Sequence, residues 1–226
     1  MTSARQIYLG SRRGPALPYD AEVEYLESTG ATTYMLLPLV WSSTTNVEVT
    51  WQRVNRASQS IFGCRNSINN TVHVALRHDR NNDSLSRLTF LNYVSTVFGD
   101  WWSGAAIQQR KETVIIDYPS LTLTYSLGTK TISAFDNGHR NNTTALFGLG
   151  NSTGNGLYYS SNVRIFSFKA SDSTGDLYDL QPVRFTNELG QTEGAMYDRV
   201  SGQIFRNAST GAFGFGTDIA GGGINV

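Results

Sequence analysis

The chain has 226 residues, enough for one large all-β domain or two small ones. Its 18 basic and 18 acidic side chains cancel, which removes the usual reason to look for a polyanionic partner such as duplex DNA. Only 16% of residues are charged, while Gly, Ser, Thr and Asn are abundant; that mixture suits short strands joined by polar turns and opposes long amphipathic helices. The single Cys64 excludes an internal disulfide framework. No apolar run approaches about 18 residues, so no transmembrane helix is expected. The start, Met1-Thr-Ser-Ala-Arg-Gln-Ile-Tyr-Leu-Gly10, lacks a charged opening followed by an apolar core, and no standard signal peptide is expected.

In chain order, residues 1–18 differ from the rest. A short strand at 6–10 is followed by Ser11-Arg-Arg-Gly-Pro-Ala-Leu-Pro18, which reads as an N-terminal arm or anchoring segment with Arg12 and Arg13 as its charged contacts. Beyond it the pattern is strand, turn, strand. Val47, Val49 and Trp51 alternate with Glu48, Thr50 and Gln52, and Val72, Val74 and Leu76 alternate with His73, Ala75 and Arg77; both have the period of a half-buried strand. Further strands are predicted at 88–93, 113–118, 121–126, 131–135, 145–149, 163–169 and 177–185. Turn chemistry falls at Asn81-Asn82-Asp83, Leu127-Gly128, Asn137-Gly138 and Ser201-Gly202, the last suited to a two-residue hairpin. Strands at this spacing without helical crossovers predict an all-β fold, a two-sheet antiparallel jelly-roll sandwich over 19–217. The glycine-rich end, 218–226, reads as a flexible tail.

Several motifs carry a resemblance. Ala21-Glu-Val-Glu-Tyr-Leu-Glu-Ser-Thr-Gly30 leads into the domain, Ile61-Phe-Gly-Cys-Arg65 lies in its middle, and Arg164-Ile-Phe-Ser-Phe-Lys169 is a late strand. Pro182-Val-Arg184 then precedes a closing hairpin at 197–207 and Thr210-Gly-Ala-Phe213. Together these resemble a concanavalin A-like (laminin G-like) jelly-roll domain of the kind found in gut bacteria and in the structural proteins of their phages. The resemblance covers about 20–216, while 66–160 is carried by pattern alone. Most of these residues read as scaffold: Tyr25, Phe166, Phe168, Tyr197 and Phe205 as apolar area, Asp198, Arg184 and Asn207 as loop-fixing hydrogen-bond groups.

Related jelly rolls include β-glucanases, whose catalytic strand carries acids at alternating positions to place acid and nucleophile on one face. That pattern is absent here. Glu22 and Glu24 are only two acids, Glu112 and Asp117 fail the parity, and Asp172 and Asp176 lie in a turn-rich segment. Cys64 beside Arg65, with His73, His78 or His139 as base, has no local signature of a nucleophilic site, and a lone Cys reads as a small apolar residue. The chain is therefore expected to be non-enzymatic, with no catalytic residues and no cofactor. The resemblance leaves open a rim Ca²⁺, for which Asp79, Asn81, Asn82 and Asp83, or Asp136-Asn137-Gly138, offer oxygen ligands; the same residues are ordinary turn formers.

The clearest ligand signal is aromatic. Trp101-Trp102, between Gly99-Asp100 and Ser103-Gly104, sits in a loop-like context, and Tyr158-Tyr159 offers a similar surface. An exposed ring stacks on the apolar face of a sugar while Asn81 and Asp83 reach hydroxyls; the competing reading packs these rings under a loop or into a subunit interface. The expectation is a phage virion structural protein, a surface fibre or a capsid or tail decoration. Its jelly roll adheres to cell-surface or mucosal glycan, and the arm attaches it to other virion proteins. It would act on the virion surface as a homo-oligomer, with a trimer the form such a role suggests, and without nucleic acid or membrane. The alternatives are a bacterial extracellular carbohydrate-binding or adhesin module, and a purely structural virion protein without a ligand.

Overall fold

A computed structural model describes residues 17–55, 59–65, 72–80, 85–92, 95–103, 110–134, 143–151 and 153–221, with the backbone alone at 59, 72–73, 79–80, 85–87, 92, 95–103 and 220–221. The described residues form strands and turns without helix. In order these are β1 (Ala21–Val23), β2 (Leu26–Glu27), β3 (Met35–Leu37), β4 (Asn46–Arg53), β5 (Gln59–Arg65), β6 (Val72–Arg80), β7 (Leu85–Asn92), β8 (Ser95–Ser103), β9 (Glu112–Asp117) and β10 (Thr122–Tyr125). There follow β11 (Gly128–Thr131), β12 (Thr144–Leu146), β13 (Gly148–Gly150), β14 (Leu157–Ser160), β15 (Val163–Asp172), β16 (Gly175–Thr186), β17 (Thr192–Asp198), β18 (Ile204–Phe205), β19 (Gly214–Phe215) and β20 (Asp218–Gly221).

Two antiparallel sheets build a jelly-roll sandwich. The larger, of twelve strands, runs β11-β10-β9-β4-β15-β16-β1-β20, with β17, β18, β2 and β19 attached beside that path. The smaller, of six, runs β3-β12-β5-β6-β7-β8, and β13-β14 form a separate two-stranded ribbon. Strand periodicity explains the core. Val47, Val49 and Trp51 of β4 turn inward beside Val114 and Ile116 of β9 and Ile165 and Phe168 of β15. Phe62, Cys64, Val74, Leu76, Leu88 and Phe90 come from the smaller sheet. Phe62 meets Phe168 edge-on at 5.8 Å. Trp41 lies almost parallel to Phe62 at 5.7 Å, and its buried indole Nε1 donates to Thr144 Oγ1 at 2.8 Å, the partner such a ring needs inside a protein.

The twelve residues of β16 join two neighbourhoods. Its first half pairs with β15 and its second half with both β17 and β1. There a second apolar cluster forms from Tyr19, Val183, Phe185 and Ala195, with Leu17, Tyr197 and Ile204 packed against it. Three polar side chains fasten this end. Buried Asp198 accepts from the amides of Asp179, Val200 and Ser201 and from Ser201 Oγ, at 2.6–3.2 Å. Arg184 makes a two-pronged pair with Asp218 at 2.8 and 2.7 Å. Asn207 reaches far along the chain, donating to Thr32 O and Gly211 O and accepting from Tyr34 N.

Several sequence expectations need correction. The hairpin at Ser201-Gly202 is a four-residue loop, not a two-residue one. Gly202 N donates to Asp198 O and Asp198 N to Gln203 O, and the Asp198 carboxylate, capping the loop from within, stabilises the longer turn. The strand predicted at 131–135 lies at 128–131 instead, because Gly128, at φ 121°, turns the chain back at once. Residues 218–221, expected within a flexible tail, pair with β1 through main-chain bonds, although Ile219 stays exposed. Arg12 and Arg13, Asn81, Asn82 and Asp83, and 136–139 lie outside the described residues.

Candidate functional site: a tyrosine–arginine platform

The site begins with a kink. Phe147, between β12 and β13, has φ 64°, a left-handed conformation that is rare for a bulky residue. Three groups hold it there. Its amide donates to Ile61 O at 2.9 Å, Ser161 Oγ donates to its carbonyl at 2.6 Å, and its buried ring packs on Phe213 at 4.7 Å. The kink takes the chain out of the ladder with β5, so that β13 pairs with β14 while still lying close against β5. Gly148 permits the close ribbon: a Cβ there would lie 2.6 Å from Tyr159 O.

The ribbon presents Tyr158 and Tyr159, 48% and 49% exposed, with their rings edge-to-face at 4.5 Å. Two arginines from the sheet back them. The Arg65 guanidinium lies 3.5 Å from the centre of the Tyr158 ring, and that of Arg77 5.7 Å from Tyr159. A cation over an aromatic face is held by the ring quadrupole, by about 0.5–1 kcal/mol at exposed sites. The hydrogen bond from Arg65, then that from Tyr159 and the Arg65 charge, holds the Tyr158 phenol below the ordinary tyrosine range. The result is a fixed aromatic surface edged by hydroxyls and positive charge. It suits stacking on a sugar ring with hydrogen bonds at its margin.

The other candidates fall elsewhere. Trp101 and Trp102 stand in β8, not in a loop. They lie opposite Arg87 and Ser86, because β7 supplies a continuous ladder that outweighs the flanking Gly and Ser. Cys64 is fully buried, and burial pushes its thiol up to about 12, which denies it a nucleophilic role at neutral pH. His78 is buried with its Nδ1 2.9 Å from Arg53 Nη1. No group of three His, Cys, Asp or Glu side chains among the described residues is placed to hold a metal ion.

Arg65 and Arg77 were not foreseen as site residues. Arg77 was within reach, since the alternation of Val72, Val74 and Leu76 assigns it to the outward face of β6. Arg65 was not, because the register shifts between Cys64 and Arg65 and a bulge of this kind has no sequence mark.

No protein-family model matches the chain, and no curated protein is similar to it in sequence. Among solved structures it is similar to a native heptameric SAP-like pentraxin from Limulus polyphemus. That similarity has 12% sequence identity and a TM-score of 0.41, and covers 70% of this chain and 71% of the other.

Proposed function

We propose that this protein is a non-enzymatic adhesion protein that binds cell-surface or mucosal glycan through the Tyr158–Tyr159 platform. The observation that carries this reading is the exposure of two rings whose geometry is already fixed by each other and by Arg65 and Arg77. A ligand meeting a preordered surface loses less free energy to ordering it. In the same proposal the protein is a structural component on the surface of a phage particle, a fibre or decoration, attached to other virion proteins through residues 1–18. The motifs at 21–30, 164–169 and 197–207 support this half, since they resemble domains of such proteins. A single ring platform binds weakly, and display as a homo-oligomer, a trimer in the simplest form, would raise overall avidity by a factor of about 10²–10⁴.

The test is a glycan array probed with the full chain in multivalent form, beside a Tyr158→Ala/Tyr159→Ala double variant. Binding by the parent, reduced at least about tenfold in the variant, supports the platform; a tenfold loss corresponds to about 1.4 kcal/mol. Parent binding that survives the double substitution places the glycan elsewhere, and no parent binding removes the glycan reading. Separately, immunogold labelling of purified particles addresses the virion half, which fails if label is absent from them.

A further inference from the structure

A second site lies at the opposite end of the chain's chemistry, in the closing hairpin. Between β17 and the loop at 206–213 is an open cavity of about 520 Å³, lined by Gln191, Thr192, Glu193, Gly194, Arg206 and Ser209 among others. That volume falls in the range of about 300–1,000 Å³ usual for small-ligand sites.

One wall is rigid for identifiable reasons. Asn207 Nδ2 donates to Thr32 O at 2.8 Å and to Gly211 O at 2.6 Å, while its Oδ1 accepts from Tyr34 N at 3.0 Å. Ala208 N and Gly211 N add main-chain bonds to Tyr34 O and Thr32 O at 2.8 and 2.9 Å. Only glycine fits at 211, where a Cβ would lie 2.5 Å from Thr32 Oγ1 and 2.7 Å from Thr32 O. The floor is equally tight: a Cβ at Gly194 would lie 2.8 Å from Leu26 Cδ2. These contacts leave a cleft whose shape is set before any ligand arrives.

Its charge is also set. The Arg206 guanidinium lies 4.4 Å over the Phe185 ring and forms no ion pair with a described residue. Stacking restrains the planar fork without using its in-plane N–H donors, which match a carboxylate two-on-two. The sole carboxylate of the lining, Glu193, accepts a hydrogen bond from Asn187 Nδ2. Thr192, Ser209 and Thr210 add hydroxyls around the cavity, and Gln191 an amide.

We propose that this cleft is a binding site for a carboxylate-bearing polyhydroxyl ligand, an acidic sugar of one or two rings. Arg206 takes the carboxylate, and Thr192, Ser209, Thr210 and Gln191 take the ring hydroxyls. The site is separate from the tyrosine platform and stands or falls independently of it.

The experiment is an amide-resolved NMR titration of the full chain with glucuronate, glucose and acetate as probes. Glucuronate is expected to shift amides at 191–194 and 206–213 and to bind at least about tenfold more tightly than glucose or acetate. Arg206→Gln is expected to weaken glucuronate at least tenfold and Arg206→Lys by less, since a lysine keeps the charge but loses the fork. Thr210→Val, an exposed change, gives a second reading should the Arg206 variants fold poorly, with a loss of a few fold expected. Tyr158→Ala/Tyr159→Ala should leave the titration unchanged. The proposal is overturned if glucuronate causes no shifts there at tens of millimolar, if glucose matches it, or if neither Arg206→Gln nor Thr210→Val weakens it.

Discussion

At the residue scale, three buried polar groups carry consequences that can be measured. Burial raises the Cys64 thiol from 9.0 to about 12, and raises the Tyr118 phenol as well. Both therefore keep their protons in the folded chain at pH values where the unfolded chain releases them. Their contribution to stability is complete below about pH 9 and is lost as pH rises from there through 12. The urea midpoint should be flat between pH 7 and 8.5 and fall above pH 9, with an onset that Cys64→Ala moves upward. Under native conditions the thiol should not react with a disulfide reagent, and should react fully once the chain is unfolded. Asp198 is the third group. Replacing it with Ala removes a buried acceptor from four hydrogen bonds, three of them to the exposed Val200 and Ser201, so Asp198→Ala should cost about 1–3 kcal/mol in equilibrium unfolding. The roles of Asp198 and Asn207 as loop-fixing residues were legible in the sequence, because Asp and Asn near Gly suit turns. That Asn207 bonds to Thr32 and Tyr34, some 173–175 residues away, was not, since nothing local marks a distant partner.

At the scale of elements, legibility followed alternation. β4, β9 and β15 declare themselves because one face is buried and the other wet, so Val47, Val49 and Trp51 fall in step. Where the chain breaks step, the sequence is silent. Phe147 looks like the middle of a strand in Ala145-Leu-Phe-Gly-Leu149, yet it is the kink that takes β13 out of the ladder with β5 and pairs it with β14 instead. The tyrosine pair was readable as an aromatic surface, but that Arg65 and Arg77, on strands far away in sequence, are its cationic neighbours was not. β14 is the outer strand of a two-stranded ribbon whose inner strand, β13, is buried, and Tyr158 and Tyr159 are exposed together. The kink depends on Ser161, whose hydroxyl holds the Phe147 carbonyl. Ser161→Ala should destabilise this region by about 1–3 kcal/mol. Amide hydrogen exchange should quicken at 148–160 and change little in β4 or β15; uniform protection across the chain would deny the ribbon its hinge.

At the scale of the whole molecule, the two sheets form a scaffold whose best-recognised motifs are structural. Arg164 pairs with Glu27 at 2.6 Å and lies over Tyr25, and Arg184 fastens β20 through Asp218. The motif strands thus close the sandwich, while the tyrosine platform stands on the part of the chain that carries no motif. This division explains why fold was readable and ligand was not: burial constrains a core residue from many directions, whereas an exposed ring is constrained only by its partner. The same division separates stability from binding. Tyr158→Ala/Tyr159→Ala should leave the thermal midpoint within a few degrees, since exposed side chains usually change stability by less than about 0.5 kcal/mol. The most direct measurement is a titration of the strongest array ligand into the full chain, followed through the aromatic resonances of Tyr158 and Tyr159. Both rings are expected to shift together with one saturating curve, and Arg65→Gln to shift that curve to weaker binding. Saturable binding that leaves both tyrosine resonances unmoved would contradict it.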